Sequence, residues 1–341
     1  MIPTDNAAPG RGARPRVLLT DPIVTEAHAR LAAEVDVETL PPGLTGEASD
    51  RALHERIAQF DGLIVRRQLP GDLFERHHRL RAVVRHGVGT DFIPVDRATA
   101  HGIPVANTPD TNANAVAEYV MSGLLAMTRR LADFDAAVRH GDWDRRMAAG
   151  EQSRELRGAT LGIIGFGAIG RRVADIAGAG FGMKLVSHTS TPSKLPPHVA
   201  PADLPTLFAR SDFIVVACPL TAATRGMIDK ALLAHARPTA VLVNVARGPV
   251  VRQDDLVDAL KAGRLGGAVL DVHAQHPLPA DSPLRACPNV LLTPHLAGLT
   301  QDASMAMGLA AVDTMLALLR GDQPRNIVNP EFNAVNKETT R

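Results

Sequence analysis

Cysteine is nearly absent from this chain. Two residues, Cys218 and Cys287, in 341 cannot build a disulfide framework and suit a reducing compartment, so a cytoplasmic location is expected. Charge of one sign is missing too. The 37 basic residues face 36 acidic ones, a formal net charge of +1, which gives no reason to expect nucleic acid or an anionic membrane surface as a partner. No run of about 18 apolar residues occurs, so no membrane span is expected. Lysine stands only at positions 184, 194, 230, 261 and 337, and this arginine bias, beside abundant alanine, reads as genomic base composition rather than function. Aromatic residues amount to 3%, with one tryptophan and one tyrosine. Residues 1–14 are polar, contain Pro and Gly and lack an apolar core, which reads as a disordered tail and not a signal peptide.

What remains is ample for buried cores: 45% of the residues are hydrophobic, and the length suggests two domains. Short apolar runs alternate with helical stretches, the pattern of a parallel α/β sheet. The first third holds strand candidates at 16–20, 35–40, 62–65, 80–85 and 103–107. Residues 113–140 carry one long amphipathic pattern (Val116, Val120, Leu124, Met127, Leu131), too long for an ordinary crossover and suited to a helix joining two domains. A second series of six strands follows at 161–164, 184–187, 213–218, 240–245, 267–272 and 290–293. Residues 301–320 are again helical, with Gly321 as C-cap, and this helix can return to the first domain.

Residues 161–170 read Leu-Gly-Ile-Ile-Gly-Phe-Gly-Ala-Ile-Gly. Gly165, Gly167 and Gly170 form G-x-G-x-x-G after an apolar run and before a helical pattern, the context a dinucleotide site requires. The first glycine permits the turn, the second lets a pyrophosphate approach, and the third lets helix and strand pack closely. The helix N-terminus then offers unpaired N–H groups to phosphate. An acidic residue about 20 positions on would bind a ribose 2′-OH, but the next strand runs into Ser187-His188-Thr189-Ser190-Thr191 and Lys194 without Asp or Glu. Hydroxyls and a lysine accept a 2′-phosphate that a carboxylate would repel. The missing acid at Thr189 thus favours NADP over NAD.

Polar residues gather at successive strand ends: Asn244-Val245-Ala246-Arg247-Gly248, then Asp271-Val272-His273 with His276, then Pro294-His295-Leu296-Ala297-Gly298. In a doubly wound sheet these carboxyl ends face the ligand crevice, here expected between the domains. Arginine binds a carboxylate bidentately, and a histidine can protonate an alkoxide as hydride arrives.

With these stretches on view, together with Arg85-His86-Gly87-Val88-Gly89-Thr90-Asp91, Asn107-Thr108-Pro109, Val116-Ala117-Glu118 and Cys218-Pro219-Leu220-Thr221, the chain resembles the D-isomer-specific 2-hydroxyacid dehydrogenases. That family includes phosphoglycerate dehydrogenases and glyoxylate/hydroxypyruvate reductases, and the likeness spans roughly residues 15–325. It implies an α/β fold of two doubly wound parallel-sheet domains: a Rossmann domain over 109–299 and a flavodoxin-like substrate domain from 15–108 and 300–330, in a homodimer that uses the long helix. It implies a small 2-oxo or 2-hydroxy acid as substrate and no metal. Arg247 would bind the substrate carboxylate and carbonyl, and His295 would be the acid/base. The amides of Val88 and Gly89 would take the other carboxylate oxygen, with Val88 also near the coenzyme. Ala168 and Ile169 would meet the pyrophosphate and Thr189 the ribose. Cys218, Pro219, Thr224, Val245, Ala246 and Gly298 would line the coenzyme, and Asp271 would contact the nicotinamide amide.

Several residues carry less specific expectations. Of Arg66 and Arg67, one would contact substrate, taken as Arg66, and the other, Arg67, be solvated; together with Arg85 they hint at a dianionic substrate. Trp143, Arg145 and Arg146 would serve dimer packing, and His273 packing or the surface. One position departs from the family. Five residues after Asp271, where a glutamate usually pairs with the catalytic histidine, stands His276. A neutral His276 can orient His295 but not stabilise its imidazolium, so a coupled His276–His295 dyad titrating lower is expected. The formate dehydrogenases of this superfamily carry glutamine there, so a neutral partner is compatible with hydride transfer. The alternative is a nucleotide-sensing regulatory protein on the same fold, against which Arg247 and His295 argue.

Overall fold

The computed structural model describes residues 14–334. They form two compact units, one from the stretches up to Asn112 and from Thr300 onward, the other from Ala113–Leu299. Most of the expected tail lies outside the described residues.

The first unit is a five-stranded parallel sheet of β1 (Arg16–Leu19), β2 (Asp36–Thr39), β3 (Gly62–Val65), β4 (Ala82–Arg85) and β5 (Val105–Ala106), in the order β2-β1-β3-β4-β5. The central strands are apolar at nearly every position because helices cover both faces, and Leu18, Leu63 and Val83 enter a different cluster from Val17, Ile64 and Val84. β5 is shorter than its apolar run, and the carboxamide of Asn329 takes its first amide: Val105 N–H donates to Asn329 Oδ1 at 2.7 Å. Helix Gln301–Arg320 packs on this sheet and on helix Thr25–Glu34, and its C-cap Gly321 adopts φ +93°. By length and composition alone this helix could cross a membrane, but half of its twenty residues are buried, Val312 and Met315 among them.

The second unit is a seven-stranded parallel sheet of β6 (Thr160–Ile164), β7 (Lys184–His188), β8 (Val199–Pro201), β9 (Phe213–Val216), β10 (Val241–Asn244), β11 (Gly267–Leu270) and β12 (Val290–Leu292). Its order, β12-β11-β10-β9-β6-β7-β8, places the reversal of winding between β6 and β9. The sequence showed six of these strands. The seventh, β8, is three residues at the edge, where Pro201 is tolerated. The expected single helix over 113–140 is instead two, Ala113–Arg129 and Leu131–Arg139, because Arg130 takes a left-handed conformation (φ +50°) and ties its guanidinium to Asp133 at 2.7 Å.

Candidate active site

The glycine turn follows β6 and opens helix Ala168–Asp175. Gly165 has φ +93°, and a Cβ there would lie 2.7 Å from the backbone of Cys218. A Cβ on Gly170 would overlap the carbonyl of Gly165. These two glycines are demanded by the protein itself. Gly167 is not: nothing stands within 4 Å of its would-be Cβ. Its open face, beside the uncapped amides of Ala168 and Ile169, is the cradle a pyrophosphate fits. Gly165 N–H donates to the carbonyl of His188 at 2.8 Å, so the end of β7 lies against the turn. Half-buried Thr189 follows there, with Ser190, Thr191 and Lys194 exposed.

The turn after β9 is closed by Thr224, whose Oγ1 donates to the Pro219 carbonyl at 2.7 Å and accepts from Thr221 N–H at 2.8 Å. Val245 and Ala246 are buried. Cys218 is a packing residue: burial pushes its thiol up to about 11. Cys287 is likewise free and buried.

The chemistry-bearing side chains stand at the ends of three adjacent strands. After β10, Asn244 shapes the turn: its Oδ1 accepts from Ala246 N–H and its Nδ2 donates to the Arg247 carbonyl, both at 3.1 Å. Arg247 itself donates from Nη1 to the Ala246 carbonyl at 2.7 Å. Gly248 then passes so close to the segment after β11 that a Cβ would overlap the His273 carbonyl and lie 2.6 Å from Ala274 N. This contact brings the Arg247 turn against residues 273–276. After β12, His295 adopts a left-handed backbone (φ +58°). Its N–H donates to the Asp271 carbonyl at 2.8 Å, and the Asp271 carboxylate accepts from Leu296 N–H at 2.8 Å and Ala297 N–H at 2.9 Å. Gly298 ends the same loop.

The rings of His276 and His295 lie 5.7 Å apart, and those of His276 and His273 5.9 Å. His276 is exposed, and its Nε2 accepts from His273 N–H at 3.4 Å, which leaves the proton of a neutral ring on Nδ1. Partial burial, then the charges of His273 and Arg247, hold it below the ordinary imidazole range. The expected histidine pair is therefore a row of three. His273, expected only to pack, is 4% exposed and bonds through Nε2 to the Thr293 carbonyl at 2.9 Å. Among the described residues no group of three His, Cys, Asp or Glu side chains is placed to hold a metal ion.

In the first unit, Val88 and Gly89 lie in the loop after β4, with Val88 exposed. Arg85 is committed to that loop: it donates to the carbonyls of Gly89 at 3.1 Å and Val65 at 2.8 Å and stacks on Phe92. Arg67 is not the solvated residue expected. It grips Asp21 through Nε (2.9 Å) and Nη2 (2.5 Å), with Nη1 on the Leu44 carbonyl. Arg66 bonds the Pro22 carbonyl. A dianion thus loses two of its three candidate arginines.

A family model, "D-isomer specific 2-hydroxyacid dehydrogenase, NAD binding domain", matches residues 121–297. The chain belongs to this family. It is 36% identical to a glyoxylate reductase of Thermococcus gammatolerans over 95% of this chain and 98% of that one. It is also 36% identical to a D-3-phosphoglycerate dehydrogenase of Methanocaldococcus jannaschii, covering 92% of this chain but 59% of that longer protein. The structure of an NADPH-dependent glyoxylate/hydroxypyruvate reductase from Sinorhizobium meliloti, in complex with NADP and malonate, superposes with a TM-score of 0.80 at 30% identity, covering 94% and 98% of the two chains. As a 2-hydroxyacid dehydrogenase the chain is an NAD(P)-dependent oxidoreductase, and the nucleotide-sensor alternative has no observation in its favour. The sequence reading missed Thr293, whose hydroxyl donates to Asp271 Oδ1, and Tyr119, whose Oη lies 2.6 Å from Thr293 Oγ1; the only available signal was that Tyr119 is the chain's single tyrosine.

Proposed function

We propose that this dehydrogenase reduces a small monoanionic 2-oxo acid of the glyoxylate/hydroxypyruvate class to the D-2-hydroxy acid, with NADPH as the preferred coenzyme. The observation that carries this reading is the meeting of Arg247, His276 and His295 at three neighbouring strand ends of a sheet whose first turn is a glycine cradle. When bound, the reduced nicotinamide supplies hydride to the carbonyl carbon. Arg247 holds the substrate carboxylate and polarises the carbonyl. Protonated His295 gives its proton to the carbonyl oxygen, so that hydride and proton together make the hydroxyl. Neutral His276 orients His295. The Val88–Gly89 turn is the second anion contact that the family resemblance assigns. Commitment of Arg67 and Arg85 to Asp21 and to loop carbonyls favours a monoanion over a phosphorylated acid.

NADPH preference is supported by the absence of any carboxylate from 188–194 and by the hydroxyls of Thr189, Ser190 and Thr191 beside Lys194. A homodimer is supported by the exposed apolar residues Leu131, Val138, Trp143 and Met147 of the second unit. The test is steady-state oxidation of NADPH and NADH with glyoxylate, hydroxypyruvate, pyruvate and oxaloacetate. Arg247→Ala and His295→Ala are expected to lower kcat/KM by roughly 10²–10⁴-fold. Retention of full turnover by His295→Ala removes the proposed acid.

A further inference from the structure

The His295 loop is held by more than Asp271. Thr293, two residues before His295, donates its hydroxyl to Asp271 Oδ1 at 2.6 Å, and its Oγ1 lies 2.6 Å from the Oη of Tyr119 on helix Ala113–Arg129. Asp271 is 1% exposed and accepts two loop amides, as an ionised carboxylate does. The Thr293 proton therefore points to Asp271, and Tyr119 must donate to Thr293. Hydrogen bonds thus run from the helix through Thr293 and Asp271 to the amides immediately after His295. A histidine at φ +58° sits in a conformation unfavourable by about 1 kcal/mol or more, which persists only where its surroundings over-determine it. The carbonyl of Thr293 is pinned as well, by His273 Nε2.

We propose that Tyr119 is a positioning residue for His295, its hydroxyl acting through Thr293 and Asp271 to hold the left-handed loop that aims the imidazole. This inference rests on the reading of His295 as the acid/base. Packing alone does not need the hydroxyl, since phenylalanine would fill the same space against the apolar cluster on which the Tyr119 ring packs. The phenol keeps the proton this chain needs: burial, with the nearby Asp271 charge, raises its ionisation above the ordinary tyrosine value.

The test is Tyr119→Phe, with Thr293→Val as a second break and Thr293→Ser as the conservative control. The expected result is a fall in kcat of about tenfold in both breaks, as for loss of one positioning hydrogen bond. The dissociation constant for NADPH should stay within twofold, and Thr293→Ser should retain most of the turnover. In a His295→Asn background Tyr119→Phe should cause no further loss, because its effect passes through the imidazole. A readout independent of turnover is the Cε1 resonance of His295, identified by its disappearance in His295→Asn; in Tyr119→Phe its proton affinity should change at least threefold. An unchanged His295 titration, or an equal loss of kcat in both backgrounds, overturns the inference and leaves the acid–base reading intact. Full turnover by His295→Asn overturns that reading and the inference built on it.

Discussion

Gly248 offers the most direct check on how the site is assembled. It lies in a backbone conformation open to any residue, so alanine there is opposed only by what its Cβ would meet. That is the carbonyl of His273, which it would overlap, and Ala274 N at 2.6 Å. Ordinary carbon–oxygen approach is about 3.3 Å, so one of the two segments must retreat by roughly an ångström or more. Neither atom is the far end of a flexible side chain, and the displacement is passed directly to Arg247 on one side or to His273 and His276 on the other. Overpacking of this kind destabilises by about 1–3 kcal/mol, and a misplacement of about 1 Å in catalytic geometry costs on the order of 10²-fold in rate. Gly248→Ala should therefore fold, with a urea midpoint lowered but a cooperative transition, and bind NADPH within about threefold of wild type. Its kcat/KM for glyoxylate should fall by roughly 10²-fold. Gly167→Ala is the counterpart. It meets no protein atom, so stability should hold while NADPH affinity falls. A Gly248→Ala enzyme with native stability and wild-type kcat/KM would refute the idea that this close approach registers Arg247 against the histidines.

Other consequences are as concrete. His276→Glu should move the alkaline fall of reduction upward by roughly one pH unit, since a carboxylate beside His295 favours its protonated form; an unmoved limb removes His276 from the dyad. In the first unit His86, 5% exposed, is held neutral down to about pH 4, chiefly by burial and then by the charges of Arg66 and Arg85. The unfolded chain binds that proton below about 6.5, so this contribution is intact above that pH and falls away toward pH 4, by up to about 3 kcal/mol. Urea titrations should show the decline in wild type and a flatter one in His86→Leu. Burial raises the Cys218 thiol to about 11, so at about pH 7.5 it stays protonated, and iodoacetamide should spare it in the folded protein and modify it in urea. Met147→Glu should shift sedimentation toward monomer if the exposed face around Trp143 is a subunit interface.

Legibility in the sequence followed the physics of each element. Parallel strands buried on both faces must be apolar throughout, so β3 and β6 stood out as runs; β8, three residues at an edge, has no such requirement and left no pattern. The break at Arg130 was invisible because its left-handed turn follows from a side-chain tie to Asp133, not from a glycine or proline. Arg247, His276 and His295 were visible as polar residues ending apolar runs. The partners that hold them were not. Gly248 is required by a segment 25 residues away, and Tyr119 reaches Thr293 across 174 positions. Arg67 likewise looked solvated because Asp21 lies 46 residues upstream.

The helix Gln301–Arg320 has a consequence for synthesis. It belongs to the first unit but follows every strand of the second, so the second unit is an insertion within the first. Emerging from the ribosome, β1–β5 present the side chains of Val17, Leu19, Ile64 and Val84 covered only in part, by Ala27 and Leu31 of helix Thr25–Glu34. The intervening 187 residues of Ala113–Leu299 can meanwhile close a complete sheet of their own. Only then do Val312 and Met315 arrive to seal the earlier surface. The earliest part of the chain is thus the last to become native, and during that interval the uncovered remainder of this face is the surface a chaperone would have to guard.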